Sequence, residues 1–222
     1  MPLAMGADGC PGNGWVVATV HGATVRWHWA QGATALLELA AELGAGAVAV
    51  DVPIGLPDAG LRACDVQARR RLRGGGASSV FAAPVRGTLA FATYGSARAA
   101  QPTLSAQAYG LVQRIRDVDA VLRSAGPGVH GLVVECHPEV SLRALTGAVL
   151  PRKKSAPGAL LRLRALKAAL GPVPSGAPPG AGVDDALDAL ACAWTAVRWL
   201  RGEADVLGGE LDGTGVPMRI VV

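Results

Sequence analysis

Half of the 222 residues are hydrophobic, enough to bury a sizeable core as one large domain or two small ones. The 21 basic and 17 acidic residues leave a net charge of +4, which admits an anionic partner such as nucleic acid without demanding one. Cys10, Cys64, Cys136 and Cys192 form no C-x-x-C pair, so neither a zinc ribbon nor a disulfide framework is signalled; with no membrane-length apolar run and no basic-then-apolar leader, the expectation is a soluble cytoplasmic protein without a membrane partner.

Residues 3–8 read as a short strand, followed by the turn G-C-P-G-N-G and an apolar strand over 15–20. Residues 24–30 alternate, with Val25, Trp27 and Trp29 on one face and Arg26 and His28 on the other, as in a half-buried strand. Three strands joined by short turns make an antiparallel meander. Leu36, Leu37, Ala40 and Leu43 give helical spacing over 33–43. Residues 47–54 are a continuous apolar run broken only by Asp51, which suits a strand buried on both faces. An ionisable group in such a strand needs a reason.

Between 57 and 128 the pattern changes. Helical stretches near 61–73 and 105–124 flank a Gly-, Ser- and Pro-rich middle at 74–86, and the segment reads as a helical insertion or lid within a single domain of 1–222. Arg62, Arg69, Arg70, Arg71 and Arg73 read as a solvated helix surface, and as phosphate contacts if nucleic acid binds. A strand over 131–134 leads into E-C-H-P-E, and helices follow over 138–145 and 158–170, with Lys153 and Lys154 before the second. The Pro- and Gly-rich stretch 171–182 reads as a linker, and 204–222 as a hairpin around Asp212 and Gly213.

The strongest helix signal is 182–202, where Leu187, Leu190, Ala191, Trp194 and Val197 recur at helical spacing and Asp184, Asp185 and Asp188 cluster on a neighbouring arc. Acids at a helix N-terminus gain roughly 0.3 to 1 kcal/mol from the dipole. That accounts for Asp184 and Asp185. Asp188 lies a turn further in and gains little, so it asks for another partner.

The segments G-A-D-G-C-P-G-N-G-W-V-V-A, D-V-P-I-G-L-P, R-A-C-D-V-Q-A-R-R, S-S-V-F-A-A-P-V-R, V-E-C-H-P-E and D-D-A-L-D-A-L-A together resemble a family known as domain of unknown function 429, described as predicted RNase H-like nucleases. The resemblance covers nearly the whole chain. It implies an α/β fold with an RNase H-like mixed sheet, in which the first and fourth strands lie parallel at the centre and bring Asp8 and Asp51 together. The acidic helix would then carry Asp185 and Asp188 over them. Asp8, Asp51, Asp185 and Asp188 become the expected ligands of Mg2+ or Mn2+, because hard oxygen donors select such ions, and a two-ion centre would hold them roughly 3.5 to 4 Å apart for phosphodiester hydrolysis. Glu135 and His137 are further catalytic candidates. Two alternatives stand beside the nuclease: D-G-C-P-G-N-G as the phosphate cradle of an actin- or sugar-kinase-like nucleotide binder, and a non-catalytic binding or scaffold protein with the same fold.

Overall fold

Alternation along the first strand, β1 (Leu3–Cys10), decides how the molecule is layered. Ala4 and Cys10 point into one apolar cluster and Met5 and Ala7 into another, so the sheet built on this strand is covered on both faces. The structure, a computed structural model, describes residues 2–222.

β1 pairs antiparallel with β2 (Gly14–His21), which pairs antiparallel with β3 (Thr24–Gln31), giving the expected meander. Helix α1 (Gly32–Glu42) then returns the chain to β4 (Ala45–Val50), which lies parallel to β1 with Ala7 opposite Val50. β5 (Val133–Cys136) is parallel to β4, and the C-terminal hairpin of β6 (Val206–Leu211) and β7 (Pro217–Val221) adds through β7. The seven-stranded mixed sheet has the order β3-β2-β1-β4-β5-β7-β6, compatible with an RNase H-like arrangement.

Between β4 and β5 lie α2 (Ala63–Arg71), α3 (Tyr94–Ala100), α4 (Ala106–Gly110) and α5 (Val112–Ala125). Ile115, Val118 and Leu122 of α5 share the Met5 and Ala7 face of the sheet with Leu36 and Ala40 of α1. Cys64 and Ala68 of α2 pack beside Leu207 and Ile220 of the hairpin. The opposite face carries α6 (Pro138–Thr146), α7 (Ala156–Leu170) and the central helix α8 (Val183–Arg201), whose Ala189, Leu190 and Ala193 meet β1 and β4. No helix among the described residues is long and apolar enough to cross a membrane.

Two expectations need correction. The run 47–54 is not one strand: β4 stops at Val50, because Pro53 has no N–H to offer a ladder and Gly55 turns the chain at φ 72°. The backbone donors beyond the turn go to carboxylates instead, Ile54 N–H to Glu135 and Leu56 N–H to Asp212. Trp29, although grouped with Val25, is not buried with it, being 38% exposed on β3, the edge strand of the sheet.

α8 meets β1 at Gly6 with no side chain between them. A Cβ at Gly6 would lie 1.9 Å from Ala193 N and 2.3 Å from Ala189 O, both backbone atoms that cannot rotate away. Gly6→Ala is therefore expected to cost about 2 to 3 kcal/mol, the upper part of the overpacking range, and to lower Tm by roughly 4 to 12 °C. Thermal unfolding checks this; an unchanged Tm would mean that the helix does not rest on the strand.

Candidate metal centre

The same alternation places the acids. Ala4, Cys10, Ala47 and Ala49 face α8, so Asp8 on β1 and Asp51, one step past the end of β4, come out on that side. Asp51 N–H donates to Ala7 O at 3.1 Å, which carries the parallel register one residue beyond the strand and sets the two aspartates side by side. Asp188, in the second turn of α8, comes down over them. One oxygen from each of Asp8, Asp51 and Asp188 lies within 4.8 Å of the others.

Asp185 does not join that triangle. Its Oδ2 accepts the Gly182 N–H at 3.0 Å as a capping box at the start of α8 and also faces the Cys10 thiol at 3.5 Å. Glu135 is likewise held elsewhere, gripped by Arg62 through Nη1 at 2.7 Å and Nη2 at 2.8 Å while accepting the Ile54 N–H. Burial pushes Glu135 up to about 7 even with the guanidinium pulling it down. Its visible work is to hold the bend that follows Asp51. His137 points Nε2 at Ser79 O, 3.3 Å away, and leaves Nδ1 buried without a partner among the described residues; burial pulls its pKa down, which favours the neutral ring.

Sequence reasoning misplaced or missed several groups. Arg62, read as solvated, is 2% exposed and binds Asp65 as well as Glu135, so it offers no surface for phosphate. Lys153 enters the acidic triangle, its Nζ donating to Asp188 Oδ2 at 2.5 Å. Arg114 of α5 lies against the Trp15 ring at 5.3 Å, donates to Cys10 O, and occupies the space that a side chain at Gly9 would fill. Isolated cations in a helix and a polar turn carry no sequence mark of what they face. The G-C-P-G-N-G turn is itself engaged: Gly9 N–H donates to Asp8 Oδ1 and Gln31 donates to Gly12 O.

Asp8, Asp51, Asp188, Arg114, Glu135, His137 and Lys153 line a cleft of about 800 Å³. Asp8, Asp51 and Asp188 form its acidic floor, and Arg114, Arg152, Lys153 and Lys154 its basic walls. Burial first, and then the charges of Asp51 and Asp188, hold Asp8 well above the ordinary aspartate value. Burial also lifts Asp51 and Asp188 to about 7, although Lys153 opposes the rise at both. Asp188 Oδ1 is buried with no hydrogen-bond partner among the described residues.

The linkage has a definite sign. The folded state keeps protons that an unfolded chain releases near the ordinary value of 3.8, so these carboxyls stabilise fully below that pH and lose their contribution as pH rises towards 7. A divalent cation needs the deprotonated forms. Stabilisation by added Mg2+ or Mn2+ is therefore expected to grow between about pH 6 and pH 8. Thermal shifts at the two pH values check it, and a shift larger at the lower pH would contradict it.

A family model described as "Protein of unknown function (DUF429)" matches residues 6–212. No curated protein and no solved structure matches the chain.

Proposed function

The chain belongs to the DUF429 family, and on the chemistry of its cleft we propose that it is a divalent-metal-dependent hydrolase of phosphodiester bonds, a nuclease. The observation that carries this reading is Asp188. A carboxylate 2% exposed, with one oxygen lacking a partner among the described residues and two further carboxylates within 4.8 Å, is a costly arrangement that a cation relieves. The donor set is all oxygen, which fits Mg2+ or Mn2+ better than zinc. The thiols support the same choice, since Cys10, Cys136 and Cys192 are buried and lie outside the triangle.

In this reading Asp8, Asp51 and Asp188 hold the ion, which when bound supplies Lewis-acid polarisation of a phosphoryl oxygen. Asp185 fixes the first turn of α8 and so the height of Asp188 above the strands. Arg114 and Lys154 draw the anionic backbone into the cleft, and Gly9, lacking a side chain, leaves room for the Arg114 guanidinium beside Asp8. Residues 57–128 act as a helical insertion in a single domain of 1–222, contributing Ser78, Ser79 and Arg114 to the walls.

The test is cleavage of end-labelled DNA and RNA oligonucleotides with Mg2+ or Mn2+ and with chelator, alongside thermal unfolding of wild type and Asp188→Asn. The Asn variant loses its Lys153 pair but relieves crowding with Asp51, so its metal-free Tm should move little. Its metal-induced shift should vanish together with cleavage. Equal shifts in both proteins would remove Asp188 from the centre, and cleavage in chelator would remove the metal from the reaction.

A further inference from the structure

The turn between α6 and α7 is built to a tighter specification than a surface loop requires. Arg162 of α7, 2% exposed, donates to Pro151 O at 2.7 Å and is held against Glu139 of α6 by three contacts of 2.8 to 3.1 Å. Gly158 lies so close beneath Arg152 that a Cβ there would fall 2.0 Å from its carbonyl oxygen. Ser155 caps α7 through the Gly158 N–H. The residue presented by this pinned turn is Lys153, which reaches Asp188 Oδ2 and is 37% exposed on the cleft side.

Three ionised carboxylates and one ammonium leave two negative charges, which a single divalent ion neutralises. The geometry agrees. Ligand oxygens on one Mg2+ ion, at roughly 2.0 to 2.1 Å each, are separated by at most about 4.2 Å, and the three carboxylate oxygens here, within 4.8 Å of one another, converge on a space of about that size. The ammonium takes Asp188 Oδ2, so this carboxylate would have one oxygen, Oδ1, left to offer to a cation.

We propose that the centre takes one divalent cation and that Lys153 is the permanent second positive charge, placed to meet the phosphodiester where a second ion would otherwise stand. The proposal rests on the metal-dependent reading above and corrects its two-ion expectation. Held by the Arg162–Glu139 pair, the Lys153 turn keeps this charge in the cleft whether or not an ion is bound, so that site filling depends on one binding event rather than two.

The test is the number of Mn2+ ions bound per chain, measured by equilibrium dialysis with the free ion read by electron paramagnetic resonance at pH 8. Wild type should bind one ion and Lys153→Met two, with the second site absent in Lys153→Arg. Two ions in wild type would overturn the proposal while leaving the metal-dependent reading in place. A single ion in a folded Lys153→Met, verified by circular dichroism, would also overturn it. No ion in wild type would remove the metal-dependent reading itself.

Discussion

Asp51→Asn is expected to lower metal-dependent cleavage by at least about a thousandfold, because the cation's stabilisation of transition-state charge is worth several kcal/mol and each 1.36 kcal/mol is tenfold in rate. Asn keeps the shape of Asp and leaves intact the Asp51 N–H bond to Ala7 O that holds the strand register. It also mimics the protonated carboxyl that the buried site prefers below about pH 7, so the metal-free protein should be as stable as wild type at pH 6 and more stable at pH 8. The combination is diagnostic. A lost rate with an unchanged or raised Tm places Asp51 in the reacting centre, whereas a lost rate with a fallen Tm would make it a structural acid of the bend. Steady-state rates with Mn2+ and unfolding curves on the same preparations decide it.

Arg62→Met should be the most destabilising of the substitutions considered, at about 3 to 5 kcal/mol, because it strands two buried carboxylates at once. Asp65 and Glu135 both lie against this guanidinium, and its Nη1 also donates to Ile54 O at 3.0 Å, so one side chain joins α2, β5 and the bend after Asp51. At roughly 2 to 4 °C per kcal/mol for a chain of this size, Tm should fall by about 6 to 20 °C. Adding Glu135→Gln should recover part of the loss by removing one stranded charge. A fall under about 1 kcal/mol, with no recovery in the double variant, would show that water reaches the pair and that the clamp does not hold the bend.

The meander and the strands β1 and β4 were readable because their signals are local and repeated, alternation in 24–30, an apolar run at 47–50 and short polar turns, whereas the parallel pairing of β1 with β4 came from the family resemblance. Asp8 and Asp51 stood out as ionisable residues inside or at the end of apolar runs, and Asp188 as an acid one turn too deep for a helix cap. Arg62 was unreadable for the opposite reason. Its neighbours in sequence are an arginine-rich helix, which reads as solvent-facing, while Glu135 lies 73 positions away. The stop of β4 at Val50 depended on which carboxylates would receive the Ile54 and Leu56 donors, and Glu135 and Asp212 come from distant strands and turns. Lys153 shares that obscurity, since a P-R-K-K-S turn announces solvent and not a cleft wall, and so does Arg162, one of two arginines in the L-R-L-R run of α7.

The contact between Gly6 and α8 gives the proposed centre a rigid frame. Asp8 lies two residues along β1 from Gly6, and Asp188 precedes Ala189, whose carbonyl would touch any atom added there, so the two ligands are carried by main chains already at closest approach. A layer of side chains between helix and strand could compress or spread to suit the ion, but bare backbone has no such compliance. Oxygens on one ion lie at most about 4.2 Å apart on Mg2+ and about 4.6 to 5.2 Å apart on Ca2+, so the adjustment of the three oxygens, which lie within 4.8 Å of one another, falls to side-chain rotation and not to movement of the helix. The spacing of the two main chains that carry the ligands is then set beneath them, by a residue that touches neither.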